Sequence, residues 1–244
     1  MPAETRPLTD TVVAVTGAGS GIGAATARLL VEEGARVALG ARRPGPIGEL
    51  AEELGADRAI AVSMDVRRPD DNHRLVAAAV DRWGRLDSVV PNAGIGAYGG
   101  ILDHDDALVA DMIDTNVAGT VWTVRAAVPF LLSGGGGDIV IVSSVAGLRG
   151  GADEAVYAGS KAAQVGLAGS LDRELRERGI RVTAICPAGV HTDFAMGTGR
   201  TPDSPSLATY LRPDDVAFAI VTVLRQPRRV RTTLWSLWSM GQQS

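Results

Sequence analysis

The chain has 244 residues, of which 45% are apolar and 21% charged, with a net charge of −4 and a pI of about 5.4. These values are ordinary for a globular protein with a core of good size, and the lack of a basic stripe excludes nucleic acid as an expected partner. The lone cysteine, Cys186, excludes an intrachain disulfide and fits a cytoplasmic location, while no apolar run or signal-peptide pattern indicates a membrane.

Segments typical of strands alternate with segments typical of helices along the first 144 residues. We predict strands at 11–17, 35–41, 59–66, 86–94 and 138–144. We predict helices at 22–34, 47–56 and 69–84, then two helices within 104–132 joined near Asn116, and a glycine turn at 134–137. Apolar strands that alternate with helices at this spacing indicate a parallel sheet covered on both faces.

The alternation continues to the end of the chain, with a helix around Tyr157, a strand at 179–189, a helix at about 213–225 and a last strand near 230–237. The pattern predicts an α/β protein: a single-domain Rossmann fold over residues 1–244, with a doubly wound parallel sheet of about seven strands and helices on both faces. Right-handed crossovers are expected to place successive helices on alternating faces. Residues 189–212 are rich in Gly, Pro, Thr and Ser and are expected to form a substrate loop or lid.

The segment TGAGSGIG at 16–23 follows the first strand and opens the first helix. Its glycines are Gly17, Gly19, Gly21 and Gly23. Glycine permits a sharp turn and a close approach of the backbone to a ligand, and the amides of a helix N-terminus suit a pyrophosphate. The spacing differs from G-x-G-x-x-G because position 22 is Ile22, and a turn that serves packing alone is the alternative. The strand before it and the helix after it favour dinucleotide binding.

The second predicted strand ends in the segment VALGARRPG, whose residues indicate which dinucleotide binds. An acid here would bind the ribose 2′-hydroxyl of NAD, whereas an arginine accepts the 2′-phosphate of NADP. Position 41 is alanine, and Arg42 and Arg43 follow it. We therefore favour NADP(H), with NAD(H) as the alternative, since two solvated arginines are common in surface loops.

The segment AVYAGSKAA at 155–163 places Tyr157 and Lys161 four residues apart among good helix formers, so both project from one face of a helix. Tyrosine has a reference pKa near 10, and a neighbouring ammonium lowers it. We expect Lys161 to tune Tyr157 in this way. A tuned phenol can donate a proton to a carbonyl oxygen or remove it in the reverse reaction.

These segments together resemble the short-chain dehydrogenase/reductase family in its compact single-domain form, over about residues 10–237. The signatures follow the family's order: TGAGSGIG, MDV with Asp65, NAG at 92–94, Asn116, IVSSVAG with Ser144, and YAGSK with Tyr157 and Lys161. Two positions depart from the pattern. Pro91 precedes NAG where the family often has asparagine, and Ala188 follows Pro187 where it usually has glycine, beside the nicotinamide.

The resemblance, together with the glycine loop and the two arginines, implies the residues of the site. The catalytic set is Asn116, Ser144, Tyr157 and Lys161. The cofactor contacts are Gly17, Gly19, Ser20, Gly21, Ile22, Gly23, Arg42, Arg43, Asp65, Val66, Asn92, Ala93, Gly94, Tyr157, Lys161, Pro187, Gly189, Val190 and Thr192. The expected substrate contacts are Ser144, Ala146, Leu148, Tyr157, His191 and Phe194. No metal site is expected.

The resemblance also implies roles for these residues. Lys161 hydrogen-bonds the nicotinamide ribose, Ser144 holds the substrate oxygen beside Tyr157, and Asp65 contacts the adenine. Asn116 helps to position a water that links Lys161 to solvent. Singly, each residue has an ordinary structural explanation, such as a half-buried phenol, a solvated helix charge or a helix cap.

The leading hypothesis is an NADP(H)-dependent oxidoreductase that interconverts a carbonyl and an alcohol on a small-molecule substrate, with Tyr157 as general acid and base. An alternative is an NAD(H)-dependent alcohol dehydrogenase with the same chemistry. A third, from another class, is a catalytically idle sensor or scaffold that only binds the dinucleotide. The resemblance further implies a homo-oligomer, a tetramer or a dimer.

Overall fold

A central sheet of seven parallel strands organises the computed structural model, which describes residues 5–242. The strand order is β3-β2-β1-β4-β5-β6-β7. The strands are β1 (Val12–Thr16), β2 (Arg36–Ala41), β3 (Ala59–Ser63), β4 (Ser88–Val90), β5 (Gly137–Val142), β6 (Ile180–Pro187) and β7 (Leu234–Leu237). The predicted single-domain, doubly wound α/β fold is confirmed, while the ends of the predicted range, 1–4 and 243–244, lie outside the described residues.

Seven α-helices connect or flank these strands in the described part of the chain. They are α1 (Gly21–Glu32), α2 (Pro44–Leu54), α3 (Pro69–Trp83), α4 (Asp106–Ile113), α5 (Gly119–Ser133), α6 (Ala155–Leu175) and α7 (Pro213–Arg225). Helix α2 begins three residues before its predicted start because Pro44 stands at its first position, where a missing N–H costs nothing. The two helices predicted within 104–132 are α4 and α5, joined by a π-helical turn at Asp114–Ala118 that contains Asn116.

Two apolar cores lie on opposite faces of the sheet. Alternate side chains of β1 supply both cores, with Val13 and Val15 on one face and Val12 and Ala14 on the other. Helices α1, α2 and α7 cover the first face, and helices α3, α5 and α6 cover the second. The helices therefore lie in two groups, and the expectation that successive helices alternate between faces is wrong.

The last crossover also departs from the predicted handedness. Strand order runs from β4 to β7 in one direction, and all strands are parallel. Helix α6 connects β5 to β6 on the second face, whereas α7 connects β6 to β7 on the first face and packs against α1. The two connections consequently have opposite hands, so the right-handed rule does not hold throughout the chain. Burial of Val216 and Ile220 on the α1 face accounts for the position of α7.

The loops that follow the strands' carboxyl ends meet above the middle of the sheet, where ligands bind in such folds. The segment predicted as a lid, 189–212, crosses this edge with little regular structure. A 3-10 turn at Pro205–Thr209 and isolated bridges from Val190 to Leu211 and from Met196 to Arg200 are its ordered features.

Candidate active site

A cleft of about 1260 Å³ opens at this edge of the sheet. It is lined by most residues that the sequence predicts for the site: Gly17, Gly19, Ser20, Gly21, Ile22, Arg42, Arg43, Asp65, Val66, Asn92, Ala93, Gly94, Ser144, Ala146, Tyr157, Lys161, Pro187, Gly189, Val190, Thr192 and Phe194. Gly23 and Asn116 lie behind this surface, and Leu148 and His191 do not line it. One continuous cleft thus joins the predicted cofactor loop to the predicted catalytic residues.

The glycine loop has little space for side chains against the protein and an open side toward the cleft. Gly17 and Gly21 adopt positive φ angles of 66° and 54°. A Cβ on Gly23 would lie 2.4 Å from the carbonyl oxygen of Gly17, so the start of α1 packs directly on the loop. A Cβ on Gly19 would meet no atom closer than 3.6 Å. No side chain caps α1, which leaves its N-terminal amides available to an anion.

Asn92, which follows β4, holds the glycine loop in place. Its side-chain amide donates to the carbonyl oxygens of Thr16 at 2.9 Å and Gly17 at 3.3 Å. Its backbone N–H donates to the Thr16 hydroxyl at 3.1 Å. The preceding residue, Pro91, has no N–H, but its carbonyl still accepts from the N–H of Val142 at 3.0 Å. The departure at position 91 therefore leaves β4 tied to β5.

Two exposed arginines stand at the end of β2, where the ribose of an adenosine would lie. Among residues 5–242, neither Arg42 nor Arg43 is paired with a carboxylate. The neighbouring Asp65 is bound by Arg67, with an N–O distance of 2.7 Å, and hydrogen bonds from Arg67 lower the pKa of Asp65. Arg68, which the sequence analysis did not select, joins Arg42 in lining a second, small pocket. The local charge at this end of the cleft is positive.

Tyr157 lies at the floor of the cleft and is only 6% exposed. Its ring packs between the rings of Tyr98 and Phe194, with centroid distances of 5.9 and 5.6 Å. Gly96 admits this arrangement, because a Cβ there would lie 2.5 Å from the Phe194 ring. The lid segment thus reaches the predicted catalytic tyrosine through Phe194.

Burial raises the pKa of Tyr157 well above its ordinary value, and a hydrogen bond with Ser144 offsets only part of this effect. From helical spacing alone, Lys161 is expected to lower this pKa. That expectation is wrong, because the pKa of Tyr157 is raised by desolvation of the buried phenol, although the Lys161 ammonium lies 5.8 Å from the ring centroid. Tyr157 is therefore a neutral phenol near neutral pH, which is the form that can donate a proton.

Ser144 lies two residues after the end of β5 and lines the cleft together with Tyr157. Its hydroxyl group accepts from the N–H of Ala146 at 3.1 Å and donates its O–H to the carbonyl oxygen of Pro187 at 3.4 Å. Its neighbour Ser143 donates to the carbonyl oxygen of Lys161 at 2.9 Å. The end of β5 is thereby fixed against α6, which explains how residues remote in sequence share one site.

Lys161 is buried and makes two hydrogen bonds through its ammonium. One goes to the carbonyl oxygen of Val142 at 3.2 Å and the other to the side-chain oxygen of Gln164 at 3.0 Å. Burial lowers the pKa of Lys161 to about 8. Lys161 is also the only lysine in the chain. Its ammonium faces the cleft beside Tyr157.

Asn116 is fully buried in the π-helical turn between α4 and α5. Its side chain exchanges two hydrogen bonds with the backbone of Ile95, at 2.8 and 2.9 Å, and donates to Ser160 at 2.9 Å. The backbone carbonyl oxygen of Asn116 accepts from the side chains of Gln164 and Thr120, at 2.8 and 2.7 Å. Sequence reasoning missed Gln164, which lies between Asn116 and Lys161 where the resemblance implies a water.

Two predicted substrate residues lie away from the cleft, so their selection from loop position is corrected here. Leu148 follows a 3-10 turn at Val145–Gly147 and its side chain is 44% exposed. His191 is exposed at a bend of the chain, directly after the buried bridge residue Val190. Its N–H donates to the carbonyl oxygen of Leu211 at 2.8 Å.

Arg200, in the lid segment, is another residue that sequence reasoning missed. Its guanidinium carbon lies 5.1 to 5.7 Å from the ring centroids of Tyr98, Phe194 and Tyr210. It donates to the carbonyl oxygen of Val190 at 3.1 Å and to the Tyr98 hydroxyl at 3.4 Å. No sequence motif marks this arginine, since only the folded loop brings it to the aromatic rings.

The described residues contain no cluster of three or more His, Cys, Asp or Glu side chains suited to a metal ion. Over residues 5–242, no helix combines the length and the apolar character needed to cross a bilayer. Cys186 is buried, and burial raises its pKa to about 11, as suits a small apolar side chain.

Comparison with known proteins agrees with this geometry. The family model described as "short chain dehydrogenase" matches residues 11–203. A relative described as an uncharacterized oxidoreductase of Staphylococcus aureus (strain MRSA252) is 34% identical over 223 residues, covering 91% of this chain and 94% of that protein.

Solved structures extend the likeness to the whole fold. The closed form of serine dehydrogenase complexed with NADP+ has a TM-score of 0.90 and 28% identity, over 96% of this chain and 97% of that one. A 3-ketoacyl-(acyl-carrier-protein) reductase from Brucella melitensis complexed with NADH has a TM-score of 0.87 and 27% identity, over 96% of this chain and 99% of that one. These neighbours carry different nicotinamide dinucleotides.

Proposed function

Because the chain belongs to the short-chain dehydrogenase family and is an NAD(P)-dependent oxidoreductase, we propose that it uses NADP(H) to interconvert a ketone or aldehyde and the corresponding alcohol. One observation carries the proposal. Ser144, Tyr157 and Lys161 meet in a single cleft whose other end is formed by the glycine loop and Arg42.

The loop's features fit a dinucleotide. Gly17 and Gly21 provide the backbone turn, the uncapped start of α1 provides amide donors, and the space beside Gly19 is open. Arg42 and Arg43 would hold a 2′-phosphate, since a guanidinium fork matches phosphate oxygens. When bound, NADPH would supply the hydride that adds to the carbonyl carbon.

The chain's own residues supply the proton and the orientation. The neutral phenol of Tyr157 donates its proton to the carbonyl oxygen, and the Ser144 hydroxyl holds that oxygen beside it. Lys161 uses two N–H groups within the protein, which leaves a third for a ribose hydroxyl. The buried charge of Lys161 also stabilises the phenolate that Tyr157 becomes.

The segment 189–212 would then cover the substrate, with Phe194 and Arg200 as its contacts to the tyrosine region. The closed form of the serine dehydrogenase neighbour accords with such a movement by analogy of fold. A homo-oligomer and a cytoplasmic location stay predictions from the sequence analysis.

The test compares Tyr157→Phe with Tyr98→Phe. The second variant loses a phenolic hydroxyl from the ring that packs against Tyr157. We expect Tyr157→Phe to lower turnover of a ketone and aldehyde panel by at least about 10³-fold while NADPH affinity stays within about twofold. Tyr98→Phe should keep most of the turnover. Turnover retained by Tyr157→Phe would overturn the mechanism, and cofactor binding with no wild-type turnover would favour the idle-sensor alternative.

A further inference from the structure

Gln164 forms a direct link between two residues of the proposed catalytic set. It lies one turn after Lys161 on α6 and is 1% exposed. Its side-chain oxygen accepts from the Lys161 ammonium at 3.0 Å, and its amide nitrogen donates at 2.8 Å to both the Asn116 carbonyl and the Thr120 hydroxyl. The two amide hydrogens and the oxygen are thus all used.

This arrangement orients the ammonium of Lys161. Of its three N–H groups, one binds the carbonyl of Val142 and one binds Gln164. A hydrogen bond to a charged donor stabilises the charged form, which opposes the effect of burial. The remaining N–H has no acceptor within residues 5–242, and Lys161 lines the cleft together with Tyr157.

We propose that Gln164 is a positioning residue of the reaction, which holds Lys161 charged and aimed at the cleft and replaces the water between Lys161 and Asn116. This proposal rests on the proposed function. An amide side chain does not pass protons as a water does. The proton that Tyr157 gives to the substrate is therefore replaced from water in the cleft, and not from behind Lys161.

Few other groups influence the charge of Lys161. Tyr157 faces it from the same helix, and Cys186 faces it from β6. Val142, which accepts from Lys161 on β5, is neutral, and so is Asn116 of the π-helical turn, which reaches Lys161 only through Gln164. No carboxylate among residues 5–242 pairs with it. Among residues 5–242, the side-chain oxygen of Gln164 is thus one of two hydrogen-bond acceptors for the ammonium.

The test uses the fact that Lys161 is the only lysine. Protein labelled with ε-¹³C-lysine gives one side-chain signal, whose pH titration reports Lys161 without any need for turnover. Gln164→Met, which keeps the length but not the acceptor, should lower the pKa of Lys161 by at least about half a unit. Gln164→Glu replaces the amide by a carboxylate of the same length and should raise the pKa of Lys161 by a similar amount.

The kinetic arm measures kcat and KM for the carbonyl and for NADPH. Gln164→Met should reduce kcat about tenfold with little change in the carbonyl KM. The matched control is Thr123→Val, a buried change on α5 whose hydroxyl bonds Asn72 and not Gln164. Equal pKa values of Lys161 in all four proteins would overturn the proposal. If Gln164→Met lowers and Gln164→Glu raises the pKa of Lys161 while wild type shows no turnover, the link between Gln164 and Lys161 is upheld and the proposed function is contradicted.

A different observation concerns the substrate end of the cleft. Arg200 uses only two of its five N–H donors on acceptors within residues 5–242, and no carboxylate there pairs with it. The aromatic rings of Tyr98, Phe194 and Tyr210 hold the guanidinium, and the first two also pack on Tyr157. The group therefore presents free donors to the cleft close to the reacting phenol.

We infer that Arg200 binds a carboxylate carried by the substrate, whose carbonyl group lies at Tyr157 and whose apolar part contacts the rings. A planar guanidinium matches a carboxylate with two parallel hydrogen bonds. This inference also rests on the proposed function, which supplies the reacting carbonyl. It names carbonyl compounds that bear a carboxylate as the substrate class.

The test measures binding of benzoate and of its neutral analogue benzamide to the protein saturated with NADP+, by calorimetry. Wild type should bind benzoate more tightly than benzamide. Arg200→Met should bind benzoate about tenfold more weakly than wild type does, with unchanged affinity for benzamide. Arg149→Met is the control, because Arg149 lines the same cleft on Trp238. Equal loss in both variants, no preference for benzoate, or loss of NADP+ affinity in Arg200→Met would overturn the inference. An Arg200-dependent preference without turnover would contradict the proposed function alone.

Discussion

The buried charge of Lys161 should make the stability of the protein depend on pH in a defined way. Burial places the pKa of Lys161 at about 8 in the folded protein, against 10.5 when it is exposed. The unfolded chain therefore binds more protons between these values, so this residue's destabilising contribution is fully present below about pH 8 and disappears as the pH rises through 10.5. This difference in pKa corresponds to roughly 3 kcal/mol.

The assay is urea unfolding of wild type and Lys161→Met, at one protein concentration, between about pH 7 and pH 9.5. Linkage predicts that the difference in unfolding free energy between the two proteins moves by about 2 kcal/mol in favour of wild type over this range. Titrating groups remote from Lys161 contribute equally to both proteins and cancel, and burial keeps Tyr157 and Cys186 largely protonated in both folded proteins over this range. The lost hydrogen bonds to Val142 and Gln164 shift the difference by a constant. A pH-independent difference, together with a lysine signal that titrates near 10.5, would refute the reasoning.

Three further predictions concern packing, charge and reactivity. Gly23→Ala should lose NADPH binding and lower Tm, because its Cβ would lie 2.4 Å from the Gly17 oxygen, whereas Gly19→Ala should keep the wild-type Tm. Asp138→Ala should lower the unfolding free energy in urea by roughly 3–5 kcal/mol, since this buried carboxylate pairs with three arginines; a loss below about 1 kcal/mol would argue against it. Cys186, with its pKa raised to about 11, should resist iodoacetamide near pH 8 until the protein unfolds.

The sheet and its order of elements follow from hydrophobic pattern, because buried parallel strands are short, apolar and separated by helices. The pairing of Tyr157 with Lys161 follows from helical spacing, and the structure places both beside Ser144 in the cleft. The hand of the last crossover does not follow from the pattern. It depends on α7 packing against α1, a contact between residues almost two hundred positions apart.

Side-chain networks were the part that local sequence could not predict. Gln164 is one glutamine within a helix, and its role depends on the π-helical turn that brings the Asn116 carbonyl within 2.8 Å. Arg200 depends on the path of an irregular loop. Leu148 and His191 were expected at the pocket wall from loop position, but neither residue lines the cleft.

The pKa of Tyr157 could not be predicted from helical spacing, because it depends on how deeply the phenol is buried. Helical spacing places Lys161 one turn from Tyr157, but both groups are buried, and burial raises the pKa of the phenol and lowers the pKa of the ammonium. The neutral phenol is the form that the proposed carbonyl reduction requires of Tyr157.

The measurement that tests the central claim most directly is a pair of fluorescence titrations, with NADPH and with NADH, on wild type, Arg42→Ala and Arg43→Ala. We expect wild type to bind NADPH at least about tenfold more tightly than NADH, and Arg42→Ala to lose most of that preference while its NADH affinity stays unchanged. Arg43→Ala measures how much of the effect is general charge. Equal or tighter binding of NADH by wild type would contradict the NADP(H) assignment.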